Sequence, residues 1–171
     1  MTNMLIDTAT NAFMQSMECP FLISVLKVIA LIFDPIALVI LSLVIAPYIY
    51  VKSSKKKGVF FGGVIIFTGA VILVVKEIFG RVRPFNSLVP ELGFSFPSGH
   101  ATIAVVFFGL LVYLFVSKKY KVHGIIVASL LVFFIGLSRV YLRVHWLTDV
   151  LGGFVLGGII LFGSILASKK I

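Results

Sequence analysis

Apolar residues gather in five long runs along the chain, Ile36 to Val51, Gly58 to Val75, Ala101 to Val116, Val122 to Ser138 and Val150 to Ser168. With their flanks, each approaches the roughly 20 residues a helix needs to cross the hydrocarbon core. Many of these residues are Val and Ile, yet helices are expected, because backbone groups in lipid must bond within their own segment. The first 33 residues follow a different pattern. Leu5, Ala9, Ala12, Phe13 and Met17 recur at helical spacing, with Asp7, Thr8, Asn11 and Gln15 between them, which predicts an amphipathic helix lying at the interface. Phe21 to Phe33 is apolar but short, contains Lys27 and ends at Asp34-Pro35, so a second interfacial or partly inserted helix is expected.

The polar residues between the runs set an orientation. Lys52, Lys55, Lys56 and Lys57 fill the first connection, Lys118, Lys119 and Lys121 the third, and Lys169 and Lys170 end the chain. Five alternating spans put these three clusters on one side, the cytoplasmic side by the positive-inside rule. The six acidic residues, Asp7, Glu18, Asp34, Glu77, Glu91 and Asp149, then fall on the other side. The connection from Lys76 to His100 and the turn from Arg139 to Asp149 share that extracytoplasmic face.

Composition strengthens this reading. The 171 residues are 60% hydrophobic and only 12% charged, against about 25% charged in soluble domains. The net charge of +9 does not indicate nucleic acid, because the basic residues sit at the ends of apolar runs and no polar domain exists to hold a duplex. The single cysteine, Cys19, excludes an intrachain disulfide and a multi-cysteine metal site, and a small buried role is expected for it. The first ten residues show no basic region followed by a long apolar core, so no cleavable signal peptide is expected. Gly153 and Gly157 form a small-xxx-small pattern that predicts close helix packing.

Candidate chemistry clusters in the two extracytoplasmic connections. His145 and Asp149 are four residues apart. On a helix they share a face, where the carboxylate orients the imidazole and stabilises the cation formed when it attacks. Lys76, Arg83 and Arg139 suit an anion, arginine's fork matching phosphate oxygens in particular; the competing role for each is an interfacial anchor. Arg81 and Arg143 are left as anchors or headgroup contacts. Pro97-Ser98-Gly99-His100 reads as a helix start, with Ser98 as N-cap and free N–H groups at a positive dipole end. Gly99 would let a ligand approach the backbone, and His100 would project from the first turn. His123, on the lysine-rich side, is expected to be structural.

Taken together, Lys76, six residues, Arg83-Pro84; Pro97-Ser98-Gly99-His100; and Ser138-Arg139, five residues, His145, three residues, Asp149 resemble the three-part signature of the type-2 phosphatidic acid phosphatase superfamily. FSFPSGH and SRVYLRVHWLTDVLGG are most similar to its small prokaryotic membrane branch, whose members dephosphorylate phosphatidylglycerophosphate or undecaprenyl diphosphate. The resemblance implies catalytic residues His145 as nucleophile, Asp149 as its orienting partner and His100 as acid and base. It implies phosphate binding by Lys76, Arg83, Arg139, Ser98 and Gly99, with no metal and no cofactor. Many such relatives carry a further N-terminal span that this chain is not expected to have.

The expectation is therefore an all-α integral membrane protein. Residues 1–33 would form interfacial helices, and residues 34–171 a bundle of five or six transmembrane helices holding the active site. It would act in the plasma membrane on a lipid phosphate, with its site facing outward, its partners being the bilayer and the lipid and not nucleic acid. The alternatives are a small anion transporter or channel, which should carry polar residues near mid-span, and a haloperoxidase-like oxidation using vanadate. Leu88, Val89, Leu92, Phe94 and Phe96 are candidates to line the path of the lipid tail.

Overall fold

A computed structural model of the protein describes residues 4–168. Among these residues there are seven α-helices and one short 3-10 turn: α1 (Leu5–Ser16), α2 (Pro20–Ile32), α3 (Pro35–Lys52), α4 (Lys55–Phe79), α5 (Gly99–Phe115), the turn Lys118–Tyr120, α6 (Lys121–Tyr141) and α7 (Leu147–Ser168). The expected apolar runs are the cores of α3 to α7. Lys169 and Lys170 lie outside the described residues.

The helices begin and end where the chemistry of their termini requires. Asp34 caps α3 by accepting from the Ile36 and Ala37 N–H groups, and Pro35 fills the first helical position. Gly80, at φ +53°, closes α4 in the left-handed region that glycine tolerates. This lets α4 run past Val75 and places Lys76 in its last turn.

The outer surfaces of these helices are apolar. Ile40, Val44, Ile66, Val155, Ile159 and Phe162 are all exposed, an arrangement stable only against lipid. Four segments are long and apolar enough to cross a bilayer: Pro20–Lys52, which comprises α2 and α3, then Lys55–Phe79, Lys118–Tyr141 and Leu147–Ser168. The shorter α5 is the innermost helix, with nine buried residues. It packs against α3, α4, α6 and α7. The protein is thus an all-helical, multi-pass membrane protein.

The contact between α5 and α7 depends on two glycines. A Cβ on Gly153 would lie 2.9 Å from the Ser98 carbonyl oxygen, and one on Gly157 would lie 2.8 Å from that of Thr102. The Gly153/Gly157 pattern therefore does what its spacing predicts: it lets the two backbones meet.

The N-terminal region departs from expectation. The helix α1 forms with Thr8 and Gln15 exposed, but one of its polar residues turns inward. Asp7 is buried, Asn11 and Gln15 accept from the Asn86 side chain, and Leu5, Ile6, Phe13 and Met17 are exposed. Helix α2 packs its Leu26 and Ala30 on Tyr141, Leu142 and Val144, at the end of α6. Cys19 is exposed rather than buried. Its backbone N–H donates to the Tyr141 hydroxyl, which itself donates to the Met17 carbonyl.

Candidate active site

Every candidate residue from the sequence lies at one end of the bundle, the end covered by α1 and α2. Lys76 comes from the last turn of α4, Arg83 from the long connection, Ser98 to His100 from the start of α5, and Arg139 from the last turn of α6. His145 follows in the turn between α6 and α7, and Asp149 sits in the first turn of α7.

The turn that carries His145 is built on the end of α6. The Arg139 carbonyl accepts from both Val144 and His145 N–H groups, at 3.1 and 3.3 Å. Arg143 closes the turn in the left-handed region, at φ 54°, where a non-glycine residue needs compensation. Its guanidinium supplies it by donating to the Asn86 carbonyl and pairing with Glu18. His145 is therefore not on a helix with Asp149, as the i, i+4 reading supposed. The turn alone brings its Nδ1 within 3.5 Å of Asp149 Oδ2.

Ser95 strengthens that long contact. Its hydroxyl donates to Asp149 Oδ2 and lies 3.3 Å from His145 Nδ1. The Trp146 N–H donates to the same carboxylate oxygen at 2.8 Å. On the other face of the ring, Arg83 Nη1 is 3.2 Å from Nε2. A guanidinium only donates, so Nε2 must hold a lone pair and Nδ1 the proton. That is the tautomer of an oriented nucleophile. Burial, together with the nearby Arg83 charge, lowers the His145 pKa to about 4, against the opposing pull of Asp149.

The cations converge beside this ring. Arg139 is almost wholly buried, its Nη1 3.2 Å from His100 Nε2 and 3.3 Å from Glu91. Its Nη2 is buried with no hydrogen-bond partner among the described residues. Arg83 approaches the other oxygen of Glu91 at 3.6 Å. Two arginines thus meet on one carboxylate. Lys76 donates to the Phe94 carbonyl at 2.5 Å and lies within the charge field of Arg83, Asp149 and Glu91. His100 is fixed on its other side by the Ala30 carbonyl of α2, and Asp34 Oδ2 is 3.7 Å from its Nε2.

Ser98 takes the N-cap place expected of it at the start of α5. The Ser98 hydroxyl caps α5 by accepting from Ala101 N–H, and the serine is wholly buried. Its N–H donates to the Asp149 carbonyl, tying α5 to α7. Gly99 turns toward Pro35 and Ile72, where a Cβ would make ordinary contacts at 3.6 and 3.8 Å. Of the proposed tail-lining residues, Leu88 and Val89 pack against the α2 cluster, Phe96 stacks near Phe79, and Leu92 is exposed. His123 contacts Tyr120 beside the lysine-rich turn, away from the histidine pair.

Four participants were not singled out for the site by sequence. Ser95 lies inside the FSFPSGH stretch without a role of its own. Asp34, Glu91 and Arg81 were read only for topology or anchoring. Arg81 is in fact buried and donates to Asp149 Oδ1 at 2.5 Å. The pattern gave no signal of this, because the contact closes a separation of 68 residues.

Known proteins resemble this chain in sequence and fold. Over 95 residues, 52% of this chain and 47% of the other, the protein is 45% identical to phosphatidylglycerophosphatase B of Bacillus subtilis (strain 168). Over 124 residues, 67% of this chain and 56% of the other, it is 37% identical to an undecaprenyl-diphosphatase of Sulfolobus acidocaldarius. The chain spans about half the length of these curated relatives. The crystal structure of a transmembrane PAP2-type phosphatidylglycerolphosphate phosphatase from Bacillus subtilis superposes with a TM-score of 0.88 at 31% identity, covering 99% of this chain and 89% of that one. The sequence model of the PAP2 superfamily matches residues 57–171, the stretch that supplies Lys76, Arg83, His100, Arg139, His145 and Asp149. By fold and by sequence, the chain belongs to the PAP2 superfamily.

Proposed function

We propose that the protein is a membrane phosphatase that hydrolyses a phosphate or diphosphate ester of a lipid through a phosphohistidine at His145. One observation carries the reading: His145 offers an unprotonated Nε2 beside Arg83, with the unpartnered Nη2 of buried Arg139 in the same cluster. The phosphoryl group would displace the Glu91 carboxylate and take its place between the two arginines, with Lys76 as a third cation. Nε2 attacks phosphorus and the bond to the leaving oxygen breaks. Asp149 and Ser95 hold the Nδ1 proton and stabilise the charge that develops on the ring. His100 gives a proton to the leaving oxygen. Asp34 favours the protonated ring once Arg139 turns from His100 to phosphate. Water then attacks the N–P bond, giving its proton to His100 and releasing phosphate.

Three fixed cations can neutralise the transferring group, so metal-independent turnover is part of the proposal. Ser98, as the cap of α5, and the Gly99 amide at that helix start complete the phosphate cradle. The names of the relatives support a lipid substrate: one is a phosphatidylglycerophosphatase and one an undecaprenyl-diphosphatase.

We further propose five spans, α3 to α7, with α2 lying across the mouth of the site. Helix α2 has 13 residues, about 20 Å of helix, and packs on the turn that carries His145. The lysine clusters would face the cytoplasm of the plasma membrane and the site the outside. An anion transporter is the weaker reading. The buried polar side chains within α3 and α4, Ser42 and Thr68, each donate to a carbonyl of their own helix and offer no path.

The test is phosphate release in detergent, with EDTA present, from phosphatidylglycerophosphate, phosphatidate, a polyprenyl diphosphate and a soluble phosphate ester. Activity on one of the lipids, inhibited by orthovanadate, supports the reading. Absence of release from every lipid, or strict dependence on added Mg²⁺, contradicts it.

A further inference from the structure

Asp7 is a buried carboxylate on a helix whose neighbouring side chains are mostly exposed. Its Oδ2 accepts from Arg81 Nη2 at 2.6 Å and from the Thr148 hydroxyl at 2.7 Å, and its Oδ1 accepts from the Thr148 N–H at 2.9 Å. That N–H belongs to the first turn of α7, so Asp7 satisfies a helix start from a distant segment. Arg81 Nη1 donates to Asp149 Oδ1 at 2.5 Å and to the Thr148 hydroxyl at 2.6 Å, and its guanidinium lies over the Trp146 ring at 5.9 Å. A buried row of alternating charge results, Asp7 to Arg81 to Asp149 to His145.

We propose that Asp7 is a positioning residue for the nucleophilic histidine, acting through Arg81 on Asp149. This rests on the phosphatase reading above.

The physical reason is charge balance. Asp149 must stay negative enough to support a charged ring at His145. Arg81 alone, in direct contact, would neutralise it in a low-dielectric setting. A second carboxylate on the far side of the guanidinium shares that positive charge and leaves the trio with a net charge of one unit negative. It also fixes the guanidinium in the plane that holds Asp149 Oδ1, so Oδ2 keeps its aim at Ser95, Trp146 N–H and His145. Helix α1 thereby becomes part of the active site without touching substrate, which explains why a polar residue on its inner side is buried.

The experiment compares kcat and KM for lipid phosphate hydrolysis in wild type, Asp7→Asn, Arg81→Gln and the double variant, each shown to be monodisperse and helical in detergent. Asp7→Asn should lower kcat on the order of tenfold, the scale of outer partners that orient a reacting group. KM should stay within about twofold, because Asp7 contacts none of Lys76, Arg83 and Arg139. In the Arg81→Gln background the same Asp7→Asn change should cost nothing or raise kcat, since there it removes a carboxylate that repels Asp149. A tenfold loss in both backgrounds, or a change in KM alone, overturns the proposal. Should Asp7→Asn alone fail to fold, the double variant compared with Arg81→Gln still separates the two outcomes: unchanged or raised kcat supports the role, and a tenfold loss overturns it. Phosphatase activity in wild type with no effect of Asp7→Asn on it refutes this role only, whereas an inactive wild type refutes the phosphatase reading itself.

Discussion

Replacing Arg139 with methionine separates the phosphate-clamping role from any structural one. The residue is only 1% exposed, and its charge faces His100 and the partly exposed Glu91 rather than a fully buried anion. Methionine fills much of the same volume and leaves Glu91 able to rehydrate or pair with Arg83, so stability should change little. The effect on the reaction should be large. Nη1 would transfer from Glu91 to a phosphoryl oxygen, and Nη2, which has no partner among the described residues, would gain one. Two charge-assisted bonds at about 1.5–3 kcal/mol each make about 3–6 kcal/mol, or roughly 100-fold to 10,000-fold in kcat/KM. Arg139→Lys keeps the charge but loses the fork, so it should lose about half of that energy. The assay is the initial rate of phosphate release from a detergent-dispersed lipid phosphate in EDTA, per mole of monodisperse protein. A folded Arg139→Met protein within threefold of wild type would refute the clamp.

Four further outcomes are expected. The His145 pKa is lowered to about 4, so the proposed nucleophile stays unprotonated through neutral pH, and kcat/KM should hold from pH 7 to about 5 and fall near pH 4. An acid limb near 6.5, read from a pH–rate profile, would contradict the burial argument. The unfolded chain takes up that proton near 6.5 and the folded one only near 4, so the linked stability is full above 6.5. It declines between these values by on the order of 3 kcal/mol, which thermal unfolding across this range would detect. Ser95→Ala leaves the 3.5 Å contact between His145 and Asp149 without its bridging hydroxyl, and should lower kcat about tenfold with KM nearly unchanged. Gly153→Ala forces a Cβ against the Ser98 carbonyl, and should lower the melting temperature in detergent, by several degrees for a cost of about 1–3 kcal/mol, and displace His100 enough to reduce turnover. Unchanged melting and turnover would mean that α5 and α7 can separate freely.

The helices from α3 to α7 could be read from the sequence because lipid leaves few options: an apolar run of that length must be helical. The chemistry-bearing residues could be read because they recur at fixed intervals, and the fold gathers Lys76, Arg83, His100, Arg139, His145 and Asp149 at one end. Three things lay beyond pattern. Asp7 looked like the polar side of an interfacial helix, and its ion pair with Arg81, 74 residues away, together with its bonds from Thr148, turns this residue inward. The i, i+4 spacing of His145 and Asp149 suggested a helix, but the left-handed Arg143 makes it a turn, a backbone state that depends on Asn86 and Glu18. Arg81 looked like an interfacial anchor, yet it is buried and donates to Asp149, 68 residues away. Each of these is decided by long-range packing, which periodicity does not encode.

The stereochemical course at phosphorus tests the covalent route most directly. A lipid phosphate ester made chiral at phosphorus with oxygen isotopes and sulfur would be turned over with an isotopically labelled oxygen nucleophile. Attack by His145 followed by attack on the N–P bond inverts phosphorus twice, so net retention is expected, with no turnover in His145→Ala. Net inversion would mean that water attacks the lipid phosphate directly, and the phosphohistidine would have no place in the reaction.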